Sequence, residues 1–160
     1  MENLSFPWHA PLWAHLESYL GQDRLPHALL LSGARGLGKR HLAQVFAARV
    51  LCETDQACGI CQSCRLIAAA THPDLIHVAP EPGKALTVDR IRGLIERLEL
   101  KPQYTHGRIA VIESADQMNV AAANSFLKTL EEPAEDTTIL LVCEMPGQLP
   151  ATILSRCQPP

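Results

Sequence analysis

The chain has 160 residues, 47% of them hydrophobic, and a formal net charge of −3, which fits one domain burying roughly 70% of its unfolded surface. That charge excludes a surface holding nucleic acid by electrostatics alone, and 4% aromatics, most in the first twenty residues, exclude a base-stacking platform. No apolar run nears the ~20 residues of a membrane span, and Met1-Glu2-Asn3-Leu4 opens no secretory leader, so a cytoplasmic, thiol-reducing setting is expected.

In chain order, Leu12, Trp13, Leu16 and Leu20 at helical spacing predict a first helix closed by Gly21 as its C-cap. Residues 27–32, with Ala-Leu-Leu-Leu inside, predict a short buried strand. From Lys39, the positions Leu42, Ala43, Phe46, Ala47, Val50 and Leu51 give a helix with one apolar face. A cysteine-rich segment follows, and a helical run resumes over 64–70. Residues 74–78 predict a second strand and 81–85 a turn-rich loop. Thr87 is placed as the N-cap of a helix whose apolar face is Val88, Ile91, Leu94, Ile95 and Leu98. A third strand is expected over 108–112 and a helix over 119–132, halted by Pro133. A fourth strand over 138–143 and a short helix from Pro150 complete the set. Strands alternating with helices imply an α/β fold with a mostly parallel sheet covered on both faces. The chain stops after Cys157-Gln-Pro-Pro, where such a sheet would take another strand, so a longer parent protein is expected.

Between the first strand and the next helix lies Gly33-Ala-Arg-Gly36-Leu-Gly38-Lys39-Arg40. In a P-loop, backbone N–H groups at a helix N-terminus cradle phosphates and the lysine neutralises charge, tasks that Gly33, Gly36, Gly38 and Lys39 retain. Arg40 stands where a Ser or Thr hydroxyl would ligate Mg²⁺. At the end of the third strand Glu113 and Ser114 occupy the positions of the metal-binding Asp and the water-orienting Glu, and Ser114 is a poor base. These departures point to a loop that binds nucleotide weakly or not at all and does not hydrolyse it.

Cys52, Cys58, Cys61 and Cys64 fall within thirteen residues, spaced C-x5-C-x2-C-x2-C, with Gly59 able to form a tight knuckle. Tetrahedral zinc takes four thiolates, and four close the coordination shell, so a structural ion with no activated water is expected. Cys143 and Cys157 lie outside the group and are placed in the core.

Asn124-Ser-Phe-Leu-Lys-Thr-Leu-Glu-Glu-Pro133 followed by Leu149-Pro-Ala-Thr-Ile-Leu-Ser-Arg-Cys157 resembles a bacterial clamp-loader subunit of the AAA+ class. The cysteine module after the first P-loop helix and the entry Arg24-Leu-Pro-His-Ala-Leu-Leu-Leu-Ser-Gly33 strengthen the match, which covers most of the chain. The degraded metal positions set it nearer the family's non-hydrolysing members than its gamma/tau ATPase subunits. The resemblance implies a three-layer AAA+ domain over residues 1–160, with the zinc module at about 52–64 and with lid and collar domains lying beyond this chain. It further implies that Arg156 is an arginine finger acting in trans. The implied partners are gamma/tau and delta subunits, with the sliding clamp and primer–template DNA reached through the assembly. Around Cys143-Glu144 the polar Thr expected of a sensor is missing. Direct DNA contact by the helix carrying Lys128 has little positive charge to support it.

Two other classes stay open on the residues alone. One is an active P-loop ATPase or a zinc-stabilised nucleotide kinase, although a kinase lid needs its two C-x2-C pairs further apart. The other treats the cysteine module as a nucleic-acid reader, for which Arg65 is nearly the sole basic residue nearby.

Overall fold

A computed structural model describes residues 6–22 and 25–159. The opening residues read for a leader, and Arg24 of the loop-entry motif, lie outside the described residues.

Four strands, β1 (Ala28–Ser32), β2 (Leu75–Val78), β3 (Arg108–Ile112) and β4 (Thr137–Cys143), form one sheet in the order β1-β4-β3-β2, every pairing parallel. Leu30 sits opposite Leu141, and Ala110 opposite Ile139. Parallel strands need crossover connections, and the helices supplying them cover both faces. α1 (Ala10–Gly21) and α2 (Lys39–Leu51) pack one face through Leu16, Leu42 and Phe46 onto Leu29, Leu31, Ile109, Val111 and Leu140. α4 (Val88–Glu99), α5 (Val120–Glu131) and the one-turn α6 (Ala151–Leu154) pack the other, through Ile91, Leu94, Phe126 and Ile153 onto Leu30, Ala110, Ile112 and Leu141. Alternate residues of each strand thus serve opposite cores, which is why these strands read as apolar runs without polar alternation. The short α3 (Gln62–Ala68) follows the cysteine segment.

Beyond α6, Gln158 bridges the free side of β1: Leu30 N donates to Gln158 O and Gln158 N to Ala28 O, both at 2.9 Å. The sheet therefore extends one residue on that edge, where the sequence pattern looked for another strand.

Small departures from the sequence reading have local causes. Gly21 is the last residue of α1, not its cap, and Gln22 takes the cap position. α3 starts at Gln62, not at Cys64, because Cys61 caps it, its Sγ accepting from Cys64 N. Thr87 sits at the N-cap of α4 with extended backbone, yet its hydroxyl makes no cap hydrogen bond. Asn119 does cap α5, accepting from Ala122 N at 2.8 Å. Cys143 and Cys157 are buried as expected.

Candidate functional site: phosphate loop and cysteine cluster

The loop between β1 and α2 is built on glycines in the left-handed region, Gly36 at φ +85° and Gly38 at φ +77°, the latter forming the N-cap of α2. A Cβ on Gly38 would come within 2.7 Å of the Phe6 ring on a backbone φ that L side chains rarely adopt, so a substitution there is strained. Lys39 turns its Nζ back to the loop, donating to Gly33 O at 2.6 Å and Ala34 O at 2.8 Å. Over the loop lies an aromatic cap absent from the sequence reading. Phe6 and Trp8 stack with centroids 4.9 Å apart. Trp8 Nε1 (3.1 Å) and His9 Nε2 (2.6 Å) both donate to Leu37 O. The concentration of aromatics near the N-terminus was the available signal.

Beside the loop, at the C-terminal ends of β3 and β4, is a cavity of about 330 Å³ lined by Lys39, Arg40, Glu113, Ser114, Cys143 and Glu144. The sequence-predicted loop, strand-end and sensor positions therefore do converge. Within that group Arg40 Nε lies 2.7 Å from Glu113 Oε1, and His77 Nε2 approaches the same oxygen at 2.5 Å. Glu113 is thus held between two basic side chains. Ser114 turns the chain with φ +50°, and Asp116, two residues on, is buried. Asp116 Oδ2 accepts from Glu144 N and Met145 N, tying the β4 exit to the β3 exit, whereas its Oδ1 has no hydrogen-bond partner among the described residues. Nothing in the motif pattern singled Asp116 out.

Arg156 lines neither this cavity nor the one of similar size beneath Trp8 and His9. Its Nη2 donates to Glu131 Oε1 at 2.6 Å and its Nη1 to Thr152 O at 2.7 Å and Ser155 Oγ at 3.3 Å.

The four cysteines come together as the spacing required. All four are free thiols, and their sulfurs lie within 4.8 Å of one another. Cys52 Sγ is 3.6 Å from that of Cys58 and 3.9 Å from that of Cys61. Four ligands tetrahedrally placed about 2.3 Å from one ion are separated by about 3.8 Å, so this donor set and size suit a tetrahedral, thiophilic metal. Backbone N–H groups of Cys58, Cys61 and Cys64 each point at the sulfur of the preceding cysteine, at 3.4 Å. Burial works to raise the Cys52 thiol, but bonds from Thr54 and from neighbouring backbone N–H groups outweigh it and bring it down to about 5. Backbone N–H groups of Ile60 and Cys61 lower Cys58. Cys64, buried and facing Cys61 and Cys52, is pushed up to about 12. A dication removes that mutual repulsion, and ligation stabilises the thiolate form of each sulfur.

The cluster is fastened to the sheet by a buried polar chain that the sequence did not reveal. Ser63 Oγ donates to Leu51 O at 2.6 Å and meets His72 Nε2 at 2.6 Å, while His72 Nδ1 accepts from Asp74 N. His72 is therefore the neutral Nε2–H tautomer. Asp74, fully buried, accepts from Gln103 N and Tyr104 N and faces Arg108 Nη2 at 3.4 Å. Arg108 in turn donates to Arg97 O, Leu100 O and Lys101 O, closing the end of α4.

A parallel sheet with a glycine loop and lysine opening α2, and an acid at the end of β3, defines a P-loop-like α/β domain. Solved structures agree on the fold. A gamma subunit-related DNA polymerase III protein from Thermotoga maritima aligns with TM-score 0.63 at 20% identity, covering 91% of this chain and 44% of that one. The Thermotoga maritima RuvB Holliday junction branch migration motor aligns with TM-score 0.58 at 18% identity, covering 94% and 42%. A family profile described as DNA polymerase III, delta subunit matches residues 8–159. DNA polymerase III subunit delta' of Pseudomonas aeruginosa is 42% identical over 95% of this chain and 47% of its own length. The Escherichia coli delta' is 36% identical over 96% and 47%. Subunit tau of Bacillus subtilis is 34% identical, over 89% of the chain and 26% of its own length. The chain belongs to the DNA polymerase III delta-prime family, and it spans a little under half the length of the delta' relatives it matches.

Proposed function

We propose that this domain is the N-terminal AAA+ part of a clamp-loader subunit in DNA replication that does not hydrolyse ATP itself. In this reading it supports loading of the sliding clamp at primer–template junctions, beside gamma/tau ATPase subunits and a delta subunit. The observation that carries it is the Arg40–Glu113 contact of 2.7 Å. Glu113, the acid at the end of β3, is paired with a guanidinium, and the neighbouring hydroxyl ligand of a working loop is replaced by that same arginine. A fixed positive charge repels Mg²⁺, and without the metal the phosphoryl group loses its main charge stabiliser. Ser114, at the position for orienting water, has no carboxylate to do so. Gly33, Gly36, Gly38 and Lys39 remain as a phosphate cradle of low affinity, with Lys39 spent on loop carbonyls.

Cys52, Cys58, Cys61 and Cys64 hold one structural zinc ion, which crosslinks the end of α2 to the start of α3. With four thiolates the shell is complete, so the ion supplies stability and no chemistry. Arg156 serves as an arginine finger presented to the ATP site of the adjacent subunit, where a cation supplied in trans is worth roughly 10³–10⁵ in rate in well-studied systems. Its support is the Ser155-Arg156-Cys157 motif on the turn after α6 and a side chain still one-third exposed.

The test is reconstitution of the full-length protein with its ATPase partners. Arg156→Ala is expected to leave the zinc content and fold unchanged and to lower the ATPase rate of the assembly. An unchanged rate at saturating subunit concentrations removes the finger role.

A further inference from the structure

Glu131, inside the Lys128-Thr-Leu-Glu-Glu-Pro133 block, is the last residue of α5, and Arg156 follows α6 twenty-five positions later. Their side chains meet at 2.6 Å, Nη2 to Oε1. The second anchor of the guanidinium is the carbonyl of Thr152, four residues back, with Ser155 Oγ beside it. One terminal nitrogen is therefore fixed to the exit of α6 and the other to the exit of α5. A planar fork held at two points on two elements has its orientation set, whereas a free arginine samples many rotamers. The pair is half-exposed, with side chains 33% and 49% accessible, so as a stabilising contact it contributes little. Its geometric consequence is larger than its energetic one.

We infer that Glu131 is a positioning residue for Arg156: it aims the guanidinium outward from the α5–α6 junction toward the neighbouring subunit. This rests on the finger reading above and adds to it the element that holds the finger. In this reading Glu131 acts on Arg156 and not on the nucleotide. It acts before hydrolysis by limiting the orientations that Arg156 must give up when the transition state forms, so its removal lowers kcat and leaves KM for ATP unmoved.

The experiment is a double-mutant cycle in the reconstituted full-length complex, measuring kcat and KM for ATP with Glu131→Ala, Glu131→Gln, Arg156→Ala and Glu131→Ala/Arg156→Ala. Zinc content and the melting temperature of each variant report the fold. Glu131→Ala is expected to lower kcat about fivefold at constant KM. Glu131→Gln, which keeps an acceptor oxygen, recovers part of that loss. In the double variant the rate equals that of Arg156→Ala alone, because Glu131 works only through the arginine. If Arg156→Ala has no effect, the finger reading falls and the inference with it. If Arg156→Ala lowers the rate while Glu131→Ala does not, or the two losses multiply in the double variant, the finger stands and the positioning role is overturned.

Discussion

Arg40 Nε lies 2.7 Å from Glu113 Oε1, spanning the gap between the first turn of α2 and the end of β3. These two elements deliver the metal ligands in a working phosphate loop, and here they deliver a cation and an anion to each other. The phosphate loop therefore carries its own counter-charge at the place where catalysis needs an ion from solution.

Because the Arg40 side chain is 63% exposed, its pairing with Glu113 is worth under about 1 kcal/mol. Arg40→Ala should change the unfolding midpoint only slightly, with the difference shrinking further in high salt. Chemical denaturation at low and high ionic strength checks this. A loss of several kcal/mol would mean that the pair holds the fold together.

The thiols divide into two sets. Burial pushes Cys143 up to about 11, with Asp116 nearby adding to the effect, and burial likewise pushes Cys157 up to about 11. At pH 8 both stay protonated and inert in the folded protein. Titration with a thiol reagent should find the metal-loaded chain almost silent. Chelation should then expose the four sulfurs of Cys52, Cys58, Cys61 and Cys64 with release of one equivalent of zinc. Six reactive thiols after chelation would show that the core opens with the cluster.

His72 sits below its ordinary value of 6.5, lowered by burial against a smaller opposing pull from Asp74. A depressed histidine leaves the unfolded chain binding more protons, so its share of stability is complete above about pH 6.5 and is lost as pH falls toward the folded value. Protonation would also set an Nδ1–H against the N–H of Asp74. Stability of the zinc-loaded protein should decline from pH 7 to 5.5, and His72→Gln should flatten that slope. An unchanged slope in the variant assigns the acid sensitivity elsewhere.

Asp74 and Arg108 form a buried ion pair at the N-terminal ends of β2 and β3. Removing one partner strands the other, at a cost of about 3–5 kcal/mol. Asp74→Ala should therefore lower stability far more than Arg40→Ala, and should loosen residues 101–104, whose backbone N–H groups at Gln103 and Tyr104 bind that carboxylate. Hydrogen exchange at those two amides gives the readout.

Much of this was legible in the residues. Leu29, Leu31, Ile109 and Leu141 announce buried strands because both faces of a parallel strand are covered, and the cysteine spacing fixes its own cluster. The glycines and lysine of the loop identify themselves through backbone requirements that few other sequences meet. What escaped were contacts between residues far apart in the chain and unremarkable alone. Ser63 with His72, Asp116 with Glu144, and Phe6 with Gly38 are brought together by tertiary packing, and no local periodicity encodes them. Arg156 was singled out by its motif, but its docking on Glu131 needs the α5–α6 geometry.

Steady-state ATP turnover by this protein alone, at saturating Mg²⁺ and free of partner subunits, decides whether its phosphate loop hydrolyses nucleotide. No release of phosphate above the buffer blank is expected, for the unmodified protein and for Lys39→Ala alike. Sustained turnover that Lys39→Ala abolishes would contradict the non-hydrolysing role, because the loop would then be an engine in its own right.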